Sequence, residues 1–348
     1  MKISDFKYPH LFAPIQLGNV LFRNRIFASP TGYQNLNGDG YLNDGAAAYY
    51  GRKAMGGAAS VATFEGIVDG ELGRGGATHI ALDTPNIDRG ISRIAYGISQ
   101  YGAVATLELQ HTGMFANRDL SFFGAEAKGI AYGPVECQCA GRRIRPMTEE
   151  IIERTIQKYI DAALLAKKCG FGMVLVHAGH GWMLHQFLSP ITNTRNDKWG
   201  GPDIENRSRL LLSIVDGIHK ACGAGFPVEV RISGSECYDG GYDIENGIAI
   251  AKQLDGHADL IHVSAGNHEV EEVFAVTHPS MFLDDGCNVH LAAEIKKHVN
   301  TPVATIGALS DPGLMEEILA SGKADVVELG RELLADPDFP NKIRTGHE

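Results

Sequence analysis

Residues 149–182 read EEIIERTIQKYIDAALLAKKCGFGMVLVHAGHGW, an amphipathic stretch followed by a short apolar one. Ile152, Ile156, Ile160 and Leu164 recur at helical spacing, Glu149 and Glu150 open the run, Lys167 and Lys168 close it, and Gly170 lies just beyond. The spacing predicts a helix over Glu149–Lys168 whose terminal charges complement its dipole. Met173–Val176 then reads as a buried strand, and His177-Ala178-Gly179-His180-Gly181-Trp182 follows at once. A strand that ends in chemically active residues is the unit from which the rest of the chain is read.

Working outward, the same apolar segment followed by an amphipathic stretch recurs at Arg25–Ser29, Ser60–Phe64, Val104–Leu109, Val228–Ile232, Leu260–Val263, Val303–Ile306 and Val326–Leu329. Asp311-Pro312 supplies a capping oxygen and a first-turn proline for another helix, which Gly322 can end. Strand, helix and parallel strand repeated eight times predict an α/β chain of the (β/α)8 TIM barrel type, preferred to an open doubly wound sheet. No Pro/Ser-rich linker divides the chain, so residues 1–348 are expected to form one domain, and Ala116–Pro146 reads as a loop excursion.

With 31 Lys and Arg against 42 Asp and Glu the formal charge is −11, and 44% of the 348 residues are hydrophobic, which excludes a disordered chain. The absence of a basic stripe argues against nucleic acid or an anionic membrane surface and favours small molecules. No apolar run approaches the roughly 18 residues of a membrane helix, and Met1–Asp5 lacks signal-peptide character, so a cytoplasmic location is expected. Six cysteines read as reduced thiols, with Cys137 and Cys139 a weak metal hint, and no metal is expected.

Neither a Gly-x-Gly-x-x-Gly turn nor a Walker-type loop occurs, so a nucleotide must bind by other means. Barrel chemistry sits at the C-terminal ends of the strands. There His177 and His180 offer two donors for an anionic or carbonyl oxygen, with a structural or metal-binding pair as the alternatives. Arg231 is aimed into the barrel by strand alternation, where it meets either an anionic cofactor or an internal carboxylate, for which Glu108 is the obvious candidate. Gly307 after the seventh strand, with Gly330 and Arg331 after the eighth, suits a phosphate cradle. The polar loop from Phe187 to Arg207 reads as a brace.

Together with Leu11–Ile15, Leu17-Gly18-Asn19, Asn24-Arg25 and His111-Thr112-Gly113, these residues resemble the old yellow enzyme family of FMN-dependent ene reductases. The likeness is to the amino-terminal FMN barrel of its 2,4-dienoyl-CoA, 2-enoate and bile-acid-inducible reductase branch. It implies FMN as cofactor, with Arg231 and Glu108 beside the flavin pyrimidine, Ser29 and Pro30 facing the ring, Gly66 among the cofactor-binding positions, and Gly307, Gly330 and Arg331 around the phosphate. Reduced flavin then gives hydride to an alkene conjugated to a carbonyl or carboxylate, His177 and His180 hold that carbonyl, and NAD(P)H supplies electrons. The expected partner is a small unsaturated carbonyl or enoate, with no nucleic acid and no membrane, and a homo-oligomer is a possible assembly.

Three positions depart from the family pattern. Trp182 occupies the place of the tyrosine that protonates the α-carbon, and its indole is no practical acid. His268, in Ser264–Glu269, is the expected replacement, with Tyr33, Tyr238 or water as alternatives. Glu108 stands where the family has a glutamine, and an ionised carboxylate there would lower the flavin potential unless Arg231 compensates or the acid keeps a proton. Gly32 replaces a Thr or Cys that adjusts the flavin. The segment Asp336–Gly346 resembles the end of the barrel in longer relatives, where a [4Fe-4S] cluster and an FAD module follow, so those cofactors are expected only in a longer native chain. The rival readings are an amine dehydrogenase or demethylase and a flavin-free barrel that binds a phosphorylated ligand.

Overall fold

Eight short strands pair in parallel and close on themselves: β1 (Ile26–Ala28), β2 (Ser60–Ile67), β3 (Val104–Gln110), β4 (Met173–Ala178), β5 (Val228–Ser233), β6 (Leu260–Ser264), β7 (Val303–Ile306) and β8 (Val326–Leu329). β8 pairs with β1 through Glu328↔Phe27, and β1 with β2 through Phe27↔Ser60, so the sheet is a barrel and the open doubly wound alternative falls. The structure, a computed structural model, describes residues 6–33, 41–76, 79–117, 130–139, 141–279 and 281–347. Around the barrel run α1 (Gly45–Met55), α2 (Asp88–Ser99), α3 (Glu149–Lys168), α4 (Ile204–Cys222), α5 (Ile244–Leu254), α6 (Val289–Lys296), α7 (Pro312–Ala320) and α8 (Phe339–Thr345). None of these is long and apolar enough to cross a membrane.

Helix α3 has the bounds that its charges predict, and the Thr148 side chain caps it by accepting from the Ile151 amide. Its buried face matches that spacing only in part, with Ile156 and Ile160 half-buried against the core. Ile152, Thr155, Tyr159, Ala162 and Ala166 are buried, while Leu164 is 41% exposed. A spacing of four drifts off any one face of a helix with 3.6 residues per turn, so mixed steps of three and four mark the side that packs. In α7 the Asp311 side chain accepts from the Gly313 amide at 2.8 Å, Pro312 occupies the first turn, and Gly322 takes the left-handed conformation at φ 71°.

The excursion from Ala116 to Pro146 is more than a loop. Its described part contains a small sheet in which Cys137–Cys139 runs antiparallel to Arg142–Pro146, with Tyr132–Gly133 alongside; residues 118–129 lie outside the described residues. Cys137 Sγ lies 3.6 Å from Met114 Sδ in a satellite core with Ala131 and Ile144, which accounts for this thiol by packing.

The two ends of the barrel differ in chemistry. At the N-terminal end a hairpin, Ile15–Leu17 paired with Val20–Phe22, closes the bottom, and Phe22 stacks on Phe27 at 4.8 Å. Ile15, Leu17, Met173, Leu260, Ala304 and Val326 complete this apolar plug, each large side chain contributing about 1.5–3 kcal/mol by burial. Above the plug the interior turns polar, with Ser60 and Thr106 hydrogen-bonded at 2.8 Å and Glu108, Glu229, His262, Thr305 and Glu328 all buried. The C-terminal end opens into a cleft.

Candidate active site

The tips of all eight strands converge on this cleft. Ser29 and Pro30 reach it after β1, Glu65 from β2, Glu108 from β3, His177 and His180 from β4 and its turn, and Arg231 from β5. Ser264 and His268 enter from β6, Gly307 after β7, and Gly330 and Arg331 after β8. Two expected site residues do not line it. A Cβ on Gly66 would lie 2.5 Å from the Glu108 carbonyl and 2.9 Å from Leu82, so the close approach of the strands requires a glycine there. Trp182 instead packs its ring against Phe115 at 6.2 Å and His268 at 5.4 Å, with its indole Nε1 buried and unpartnered.

His177 and His180 form a chain, not a free pair of donors. His180 adopts φ 60°, and Gly181 follows at φ 88°, a sharp turn that folds the imidazole back over the barrel. His177 Nδ1 lies 2.8 Å from Gln110 Oε1, which can only accept, so that nitrogen carries the proton. His177 Nε2 therefore accepts from His180 Nδ1 at 2.9 Å, and His180 Nε2 accepts from the Ser264 hydroxyl at 2.8 Å. Burial, reinforced by the Arg231 charge, drives both imidazoles well below the usual histidine range, so the chain is neutral. Every ring nitrogen of the pair already has a protein partner.

Below them lies a closed charge account. Glu108 approaches His177 Nδ1 at 2.9 Å rather than pairing with Arg231, so the expected Arg231–Glu108 salt bridge is replaced. Burial and the neighbouring Glu65 push the Glu108 carboxyl well above the ordinary range, which favours its protonated form beside His177. Glu229 is raised well above its usual value by burial and by Glu328, to which it donates a hydrogen bond. Burial opposes ionisation of Glu328, but His262, Glu229 and Arg231 hold its carboxyl below the ordinary value. His262 Nδ1 sits 2.8 Å from Glu229 and 3.1 Å from Glu328. Arg231 thus faces two carboxyls held below their ordinary value, Glu328 and Glu65, with no direct ion pair to either among the described residues. Its Nη2 reaches Ser264 Oγ at 3.5 Å, while its Nε is buried without a partner.

A second imidazole pair stands at the outer side. His268 Nδ1 lies 2.8 Å from His278 Nε2, and the ring of His268 also meets that of His180 at 4.9 Å. The His268 amide donates to the His180 carbonyl at 3.0 Å, which ties the two pairs together. Burial, then His177 and His278, push the His268 pKa down to about 3. His278 escapes a reading of the sequence, as do Ser264, Gln110 and Glu328. His278 ends a single helical turn, Phe274–Thr277, too short to show a period, and its position ten residues after His268 is the only signal.

The end of the cleft where a phosphate is expected is built largely from backbone. Gly307 has φ 127°, and a Cβ there would lie 2.7 Å from Asn288 Nδ2, so only glycine fits. Nothing lies within 4 Å of a Cβ on Gly330, and its amide donates to Glu332 Oε2 at 3.1 Å. The exposed Arg331 forms no ion pair among the described residues. The loop from Phe187 to Arg207 is the brace its composition suggests. Arg207 donates to the carbonyls of Leu188, Gly201 and Pro202, and Asn193 to those of Phe187 and Trp199.

Residues 10–348 match the family model described as NADH:flavin oxidoreductase / NADH oxidase. The chain is 36% identical over 342 residues to the NADH oxidase of Thermoanaerobacter brockii, which covers 98% of this chain and 52% of that protein. It is 32% identical to the NADPH dehydrogenase of Bacillus subtilis, with 94% of this chain and 92% of that protein covered. The solved complex of 2-naphthoyl-CoA reductase with 2-naphthoyl-CoA superposes with a TM-score of 0.88 at 29% identity, over 97% of this chain and 52% of that one. The chain thus spans about half the length of some relatives and most of the length of others. With a closed parallel barrel, a cleft at its C-terminal rim and a family match over nearly all residues, this chain belongs to the NADH:flavin oxidoreductase / NADH oxidase family, the old yellow enzymes.

Proposed function

We propose that the cleft holds FMN and reduces a carbon–carbon double bond conjugated to a carbonyl or carboxylate, with NAD(P)H as the electron source. The observation that carries this reading is a pair of orphaned polar atoms on the cleft wall: Arg231 Nε and Glu108 Oε2 are buried without partners. Such atoms cost about 1–3 kcal/mol each, and a ligand edge bearing carbonyl and imide groups relieves that cost. Glu108 with its proton offers one O–H donor and acceptor capacity, the same pattern as the glutamine it replaces.

Arg231 and Glu108 would hold the flavin pyrimidine, the backbone at Ser29 and Pro30 would face the ring, and Gly307, Gly330 and Arg331 would take the phosphate. Bound FMN supplies hydride chemistry that side chains lack. His177 and His180 polarise the substrate carbonyl by exchanging one internal hydrogen bond for one to its oxygen, and the N–H that His180 can redirect is that of Nδ1, now donated to His177 Nε2. His268 carries the proton for the α-carbon, and Trp182 walls its ring in place. The likeness to 2-naphthoyl-CoA reductase directs the substrate search toward aromatic and unsaturated acids and their thioesters.

The test is anaerobic reduction of the purified holoprotein by NADH and by NADPH, followed by reoxidation with unsaturated acids, ketones and thioesters. Flavin bleached by a nicotinamide and restored by an activated alkene supports the reading. Reduction by amines with no reoxidation by any alkene replaces it with amine dehydrogenation.

A further inference from the structure

We propose that His278 re-protonates His268, so that two imidazoles form a relay carrying a proton from solvent to the α-carbon of the substrate. This rests on the reading of the cleft as an ene-reductase site. The geometry is that of a wire with one dry end and one wet end. Both line the cleft, His268 half-buried on its inner side and His278 exposed at its edge, and their Nδ1 and Nε2 atoms meet at 2.8 Å. Both rings are fixed. His268 is flanked by His180 and Trp182, and its amide is tied to the His180 carbonyl at 3.0 Å. The His278 amide donates to the Phe274 carbonyl at 2.8 Å, and its ring packs on that of Phe274 at 4.7 Å.

Among the described residues, His268 Nε2 and His278 Nδ1 have no protein partner, so each end of the wire has one uncommitted nitrogen. A relay is required because a lone His268 is a poor acid. The ring faces His177, His278, Glu65 and Arg231, and with its pKa near 3 it stays neutral across physiological pH. A neutral imidazole that gives up its Nε2 proton becomes an imidazolate unless another proton arrives at Nδ1 in the same event. His278 can supply that proton. It faces His268, Arg231, Arg331 and Glu65, and burial with the two arginines also lowers its affinity for a proton, which favours handing one on.

The step balances. Hydride from the reduced flavin forms the new C–H bond at the β-carbon, and the displaced π pair collects at the α-carbon. That carbon takes the Nε2 proton of His268, His268 Nδ1 takes the Nε2 proton of His278, and solvent restores a proton at His278 Nδ1. The alkene gains a hydride and a proton, and the flavin is oxidised.

The experiment is a single-turnover reoxidation of anaerobically reduced holoenzyme, comparing wild type with His278→Gln and His278→Ala in water and in deuterium oxide across pH. The expected result is an alkene-dependent reoxidation slowed at least about 10-fold in both variants, with FMN content and reoxidation by ferricyanide unchanged. Added imidazole restores part of the rate to His278→Ala. Alkene reoxidation at the wild-type rate, with the wild-type pH profile and solvent isotope effect, overturns the relay while leaving the ene-reductase reading intact. Reduced wild-type enzyme that no alkene reoxidises overturns both.

Discussion

Four imidazoles lie in contact at the rim of the barrel, yet the two pairs are held on opposite terms. His177 and His180 commit every ring nitrogen to Gln110, Ser264 or each other and are almost fully buried. His268 and His278 commit one nitrogen each, to one another, and stand between the cleft and solvent. A residue's hydrogen-bond account thus separates a pre-oriented wall from a proton carrier, although all four are the same residue type. The inner pair resists protonation because desolvation and Arg231 both oppose a second positive charge. The outer pair has a route to solvent.

The strongest way to break this comparison is His268→Gln. Loss of a positioned acid predicts alkene turnover lower by about 100-fold or more, with flavin bound and its reduction by nicotinamide preserved. Stopped-flow traces of the two half-reactions check this, and an equal loss in both would remove the distinction between the pairs. Next in size is Ser264→Ala, which withdraws the hydroxyl donor from His180 Nε2 and leaves a buried acceptor unpartnered. A loss of about 1–3 kcal/mol in urea unfolding is expected; an unchanged midpoint would show that the inner chain does not hold the wall.

Two smaller effects sharpen the contrast between the rim and the floor. Glu332 places its carboxylate on the Gly330 amide, where a phosphate oxygen would compete for the same donor. Glu332→Gln should tighten FMN binding by about two- to five-fold in a fluorescence titration, and weaker binding would contradict a phosphate site there. Glu108→Gln has the smallest effect at neutral pH. Because the folded Glu108 carboxyl is raised, it is neutral below that elevated value and ionises only above it. The flavin potentials of wild type and variant should therefore agree at neutral pH. As pH rises, the wild type alone gains a negative charge that opposes reduced flavin, so its potential falls further. A large gap at pH 7 would show an ionised Glu108.

The barrel was legible because strands buried on both faces are short apolar runs, and each charged or imidazole residue within or just beyond them had to point inward or sit at a tip. Arg231 and His177 stood out for that reason. Glu229 lies two residues before Arg231 on the same face, and Glu328 lies within an apolar run, yet nothing in the pattern of either strand singles them out. Their shared proton depends on neighbours from three strands and is invisible along the chain. Gly66 shows no more than a need for glycine, because a glycine required by strand packing looks the same along the chain as one required by a ligand. Helix α3 gave its ends through charge and its buried face only in part, since Ile152, Ile156 and Ile160 pack inward and Leu164 does not. His278 left no pattern, since a single helical turn carries no period.

Whether the strand tips hold a flavin is decided by an equilibrium titration of the apoprotein with FMN and with riboflavin, for wild type, Arg231→Met and Arg331→Met. One FMN per chain, weaker riboflavin binding, loss of affinity for both ligands in Arg231→Met and loss of the FMN preference in Arg331→Met are the predicted results. Absence of saturable binding, or an Arg231→Met protein that binds FMN as tightly as wild type, would contradict a flavin held at the converging strand tips.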